Sequence, residues 1–126
     1  MGDTTKIAWT RSTFNPWIGC TRIGPGCDHC YAEQQDSRKR WGGATHWGAG
    51  VPRMRTSVQN WNRVLRWDRL VAEEKRTGHI TPKSEWNHPG FWPVFCASLA
   101  DVFDNEVPDE WRTDLWALIS ATPHLT

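Results

Sequence analysis

Cys20, Cys27 and Cys30 form a C-x6-C-x2-C pattern, the densest concentration of reactive side chains in the chain. Thiolates that converge on one centre bind zinc or iron–sulfur clusters. Gly19, Gly24, Pro25 and Gly26 lie beside and between the three cysteines. Glycine reaches backbone angles that other residues avoid and proline holds φ, so the run predicts a tight, irregular loop able to gather thiols. Residues that build a core are sparse there, and metal chemistry is the natural reading. Three thiolates suit a [4Fe–4S] cluster with one iron left open. Such an iron can bind S-adenosylmethionine through its amino and carboxylate groups, and the cluster then donates the electron that cleaves a carbon–sulfur bond.

Zinc is the alternative. A structural zinc wants four ligands, which His46 or Cys96 could complete. His29 lies between two cysteines, so its ring is expected to point away from their shared centre. Cys96 sits in an apolar run and reads more simply as an inert buried thiol. Three incidental cysteines are a third account, disfavoured by the spacing and the interleaved glycines. Asp101 and Asp104 follow a second apolar run. In α/β sheets ligands bind beyond the carboxyl ends of the strands, so both can contact a ligand, and capping of their own loop explains them equally well. Tyr31, directly after the third cysteine, and Asp101 are the candidate cofactor-binding residues.

The elements that position these residues are legible from local pattern. Residues 4–19 read as a short strand leading into the cysteine loop at 19–33, with Asn15-Pro16 as a turn or extended signal. A helix is expected from Tyr31 towards Arg40, stopped by Gly42-Gly43. Residues 41–90 read as an insertion. Its first part, 41–56, is a long loop carrying Trp41, His46, Trp47, Arg53 and Arg55. Such a loop could stack on and neutralise a nucleotide-like ligand, although a surface loop anchored by tryptophans is the plainer reading. Ser57 predicts the N-cap of a helix reaching about Lys75, with Val58, Trp61, Leu65 and Val71 near helical spacing. Residues 77–90 carry loop signals. A second strand–helix unit spans 93–121. The buried strand Val94–Leu99 is followed by a helix that starts near Pro108 and shows Trp111, Leu115, Leu118 and Ile119 on one face.

Composition narrows the function classes. The 126 residues suffice for one domain and are too few for a complete barrel of alternating strands and helices, which needs about 200 or more. The net charge of +1 gives no overall argument for nucleic acid. The charge is uneven, with Lys and Arg in the first two thirds and Arg112 the lone base after Lys83. Ten tryptophans are too many for so small a core, and some are expected to line a groove. No run of apolar residues is long enough for a membrane helix and no signal-peptide core is present, so a cytoplasmic, reducing setting is expected and metal is favoured over disulfide. Strand, helix, insertion, strand, helix predicts an α/β fold with a parallel sheet. The chain stops where a further strand would be expected, so it reads as the N-terminal piece of a longer protein.

Two segments carry a resemblance. Thr13-Phe14-Asn15-Pro16-Trp17-Ile18-Gly19-Cys20-Thr21 with Gly24-Pro25-Gly26-Cys27-Asp28-His29-Cys30-Tyr31-Ala32-Glu33, and later Val94 to Asp104 and Ala121 to Leu125, resemble the phage-type three-cysteine-motif family. Its members look like distant relatives of radical S-adenosylmethionine enzymes. The resemblance implies a partial (β/α) barrel with a cluster at its mouth, held by Cys20, Cys27 and Cys30. The usual spacing in those enzymes is C-x3-C-x2-C, and the first gap here is longer by three residues. The substrate implied is unassigned. The reading is therefore an iron–sulfur protein of radical S-adenosylmethionine type, the alternative being a zinc-stapled module that binds nucleic acid or a partner protein.

Overall fold

A computed structural model describes residues 5–38, 43–80 and 86–126. The expected continuation of the first helix through Lys39 and Arg40, together with Trp41, Gly42, Pro82 and Lys83, lies outside the described residues.

Among the described residues, four short strands and three α-helices make a small mixed α/β fold. Strand β1 (Ser12–Phe14) pairs in parallel with β4 (Val94–Cys96), Ser12 opposite Val94 and Phe14 opposite Cys96. The parallel pairing of these two strands matches the parallel sheet expected from strands alternating with helices. On the far side of β4 the backbone of Thr126 takes up further bonds, its N–H donating to Trp92 C=O and its C=O accepting from Val94 N–H. The single strand expected over residues 4–19 is broken in two. Asn15-Pro16 turns the chain, and β2 (Trp17–Ile18) pairs antiparallel with β3 (Met54–Arg55), a strand inside the segment read as loop. Thr56 secures that turn, its N–H donating to Pro16 C=O and its hydroxyl to Asn15 C=O.

Helix α1 (Tyr31–Ser37) begins directly after Cys30. Helix α2 (Val58–Thr77) is capped by the Ser57 side chain, which accepts from Asn60 N–H, and is closed by Gly78 in the left-handed region at φ 72°. Both ends follow the local signals. Its apolar face departs from the expected one. Trp61, Val64, Trp67 and Val71 are buried, whereas Val58, in the first turn, is 71% exposed. Helix α3 (Asp109–Ala121) buries Leu115 and Leu118 and leaves Ile119 half exposed, so the covered stripe is narrower than the expected one.

The main core gathers Phe14, Trp17, Trp61, Val64, Trp67, Val71, Trp92, Val107, Leu115 and Leu118 between β1, α2 and α3. Arg11 crosses it as a buried base. Its guanidinium donates two bonds to the Glu74 carboxylate at 2.8 and 2.9 Å and lies 3.6 Å over the Trp92 ring. Trp67 stacks with Trp92, their ring centroids 6.2 Å apart. Of the described tryptophans, Trp17, Trp61, Trp67 and Trp92 are buried in the core, while Trp9 and Trp116 are exposed. Among the described residues no helix is long and apolar enough to cross a membrane.

Candidate functional site

The site lies at the carboxyl ends of the strands. Gly19, one residue past β2, forms a parallel bridge with Ala100, past β4. Cys20 and Asp101 each follow a partner of that bridge, so the first cysteine and the candidate ligand-binding acid are held side by side. Gly19 sits at φ 121°, and a Cβ there would fall 2.3 Å from the His46 carbonyl oxygen and 2.7 Å from the Arg53 side chain. Only glycine fits this backbone and this approach.

Cys20 is half-buried. Its carbonyl accepts from Gly48 N–H at 2.8 Å and its thiol donates to Thr21 C=O at 3.6 Å. Burial pushes its thiol up from the usual range, the Thr21 bond opposes this, the carboxylates of Asp104 and Asp101 add to the rise, and Arg53 works against it. From Thr21 to Gly26 the chain is exposed or half-exposed, and a Cβ at Gly24 or Gly26 would touch nothing within 4 Å. A single 3-10 turn, Pro25–Cys27, leads to Cys30 at the start of α1, whose N–H donates to Cys27 C=O at 3.3 Å. Cys27 and Cys30 are half-buried, and Cys30 packs on a small second cluster of Ile18, Ala32 and Leu99.

The three thiols therefore divide into one on a strand end and two on a turn. Among the described residues no group of three or more His, Cys, Asp or Glu side chains is arranged to hold a metal ion. The donor types suit an iron–sulfur cluster or zinc, while the arrangement of the loop does not bring the three sulfurs to one centre. Cys96 lies in β4 and lines an apolar cavity of about 230 Å³ with Phe14, Val64, Leu115 and Leu118. Burial pushes its thiol up to about 11, which keeps it protonated and inert at neutral pH. His29 is exposed, as its place between two cysteines suggested. Tyr31 is 65% exposed beside the cysteine turn. Asp101 Oδ1 accepts from Phe103 N–H at 2.9 Å, and Asp104 Oδ1 accepts from Glu106 N–H at 3.0 Å, so both acids cap their own loop.

Two buried polar arrangements escaped the sequence reading. The first centres on Arg53, whose side chain is fully buried. Its Nε donates to Asp104 Oδ2 at 2.5 Å, and its Nη2 donates to Thr21 Oγ1 and Glu106 Oε2, both at 2.7 Å. Its Nη1 donates to the carbonyls of His46, Gly48 and Val51. Burial opposes this charge, and the bond and charge of Asp104, aided by Glu106, outweigh it and raise the Arg53 pKa. One guanidinium thus ties the 46–51 loop, the post-β4 loop and the residue after Cys20 together. In the second, Asp36 on α1 accepts from His46 N–H at 2.5 Å, and its other oxygen meets His46 Nδ1 at 2.8 Å. A basic residue in a glycine-rich loop and acids past a strand are the only sequence traces of the first; nothing local marks the second.

The two arginines of this loop are engaged within the fold. Besides Arg53, Arg55 lies 4.2 Å over the Trp61 ring and pairs with Asp114 at 2.7 Å. These guanidinium groups serve the fold. His124 has a partner that the sequence did not suggest, Asp68, which accepts from its backbone N–H at 2.8 Å and meets Nδ1 at 3.2 Å.

The family described as a protein of unknown function, DUF5131, matches residues 4–126. No curated protein and no solved structure matches the chain.

Proposed function

The chain belongs to the DUF5131 family of proteins of unknown function, and we propose that within it the 19–33 loop is a metal-loading loop for an iron–sulfur cluster. The observation that carries this reading is three half-buried free thiols, Cys20, Cys27 and Cys30, on one loop that starts at the carboxyl end of β2. Loading requires the Cys27–Cys30 turn to swing towards Cys20. Cys20 is held by the strand end and Arg53 holds its neighbour Thr21, whereas residues 22–26 are exposed and two of them are glycines with open space around them. Metal-ligand bonds are strong enough to drive such ordering. The finer form of the proposal is a radical S-adenosylmethionine type of protein with a partial (β/α) barrel fold. In it, Tyr31 and Asp101 border the cofactor, and a [4Fe–4S] cluster would supply the reducing electron.

Anaerobic reconstitution with iron and sulfide tests the reading. The expected product is brown and carries about four irons per chain, with loading lost in Cys20→Ser, Cys27→Ser and Cys30→Ser. A colourless protein holding one zinc, lost in the same variants, would replace it with the zinc-stapled module.

A further inference from the structure

Cys27 and Cys30 are placed for a reaction of their own. The Cys30 N–H bond to Cys27 C=O closes a four-residue turn, with Asp28 and His29 as its central residues. Such turns bring their first and last Cα atoms within about 7 Å. Disulfides span Cα separations of about 4.4–6.8 Å, so the backbone spacing of this turn falls in the range a disulfide can bridge. Both thiols are free and half-buried. Cys30 also lines a polar cleft of about 190 Å³, together with Arg22, Asp28, Glu33, Gln34 and Ser37. The cleft gives a small molecule an approach to Cys30 that Cys27 does not share.

We propose that Cys27 and Cys30 form a redox-active dithiol, oxidised by a small-molecule disulfide that enters the cleft beside Cys30. The Cys30 thiolate attacks one sulfur of the incoming disulfide, forming a mixed disulfide and releasing one thiolate. The Cys27 thiolate then attacks the Cys30 sulfur, closing the Cys27–Cys30 bond and releasing the second. The protein loses two electrons and two protons, and the co-reactant leaves as two thiols. Because the closed form withdraws two of the three thiols of the loop, oxidation and metal loading exclude each other; that consequence alone rests on the iron–sulfur reading.

The full chain, freed of metal and reduced, is incubated with oxidised glutathione, quenched in acid, alkylated and mapped by mass spectrometry. The expected product has lost two hydrogens, retains no glutathione, and is alkylated at Cys20 and Cys96 but not at Cys27 and Cys30. Cys27→Ser should retain one glutathione on Cys30, and Cys20→Ser should close the same bond as the parent chain. Alkylation of both Cys27 and Cys30, or a bond from either to Cys20, overturns the proposal. Iron loading of the reduced and oxidised forms separates the two readings. A disulfide without iron uptake by the reduced form sinks the cluster and leaves the dithiol, whereas iron uptake without a disulfide does the reverse.

Discussion

Arg53 determines most of the site geometry, because six acceptors on three segments of chain share its one guanidinium. Replacing it with an apolar side chain leaves the Asp104 carboxylate buried without its partner, and breaking buried pairs costs about 3–5 kcal/mol. Arg53→Met is therefore expected to lower unfolding free energy by about that amount in a urea titration. Cys20 reports the same surroundings electrostatically. Burial, then Asp104 and Asp101, hold its proton above the ordinary thiol range. Since the thiolate is the reacting form, Asp101→Asn should speed alkylation of Cys20 at a fixed mildly alkaline pH, as one opposing charge is gone. Asn keeps the Oδ1 that accepts from Phe103, so the loop turn survives and the rate change isolates the charge. An unchanged rate at Cys20, measured by peptide mapping, would remove Asp101 from its surroundings.

At the scale of elements, two glycines with left-handed backbone serve different ends. Gly78 closes α2 at φ 72°, and a Cβ there meets nothing within 4 Å. Gly19 joins β2 to the cysteine loop at φ 121°, pressed on His46 and Arg53. Gly78→Ala should cost about 1 kcal/mol, the strain of a left-handed residue alone. Gly19→Ala adds a clash with backbone, so it should cost several times as much and move His46 from Asp36. Chemical denaturation compares the two, and the NMR chemical shift of the His46 backbone amide, which donates to Asp36, follows the displacement. Equal costs would mean that the strand end yields where the structure shows it closed.

Across the whole molecule, the half-buried thiol of Cys96 in β4 links stability to pH. Its folded value is raised to about 11 from the ordinary 9.0, so the folded chain holds that proton more tightly than the unfolded one. The contribution is fully present below about pH 9 and is lost as pH rises towards 11, at most about 1.4 kcal/mol for each unit of difference. Cys96→Ala should be less stable at neutral pH, through the widened apolar cavity, yet lose less between pH 9 and 11 than the parent chain. Thermal unfolding across that range measures the difference, and Cys20, raised in the same direction, contributes to the slope that remains.

What the amino-acid order alone determined is local. The helices of the described residues, the Ser57 cap and the Gly78 stop follow from periodicity and end signals that lie within a few residues of one another, and the parallel pairing of β1 with β4 follows from the alternation of strands with helices. The cysteine loop was legible for the same reason, since spacing and glycines are sequential facts. The β2–β3 pair was not, because two residues per strand show no period. Val58 and Ile119 were misplaced because the period leaves a stripe's edges open, and only the packing of α2 and α3 says where burial stops. Arg53 meets Asp104 and Glu106 across more than fifty positions, and Asp36 meets His46 ten positions on with no motif to mark the pair. Those meetings, and the separation of Cys20 from the Cys27–Cys30 turn, were decided by tertiary structure, because a buried charge finds its partner through the folded path of the backbone and leaves no spacing to read.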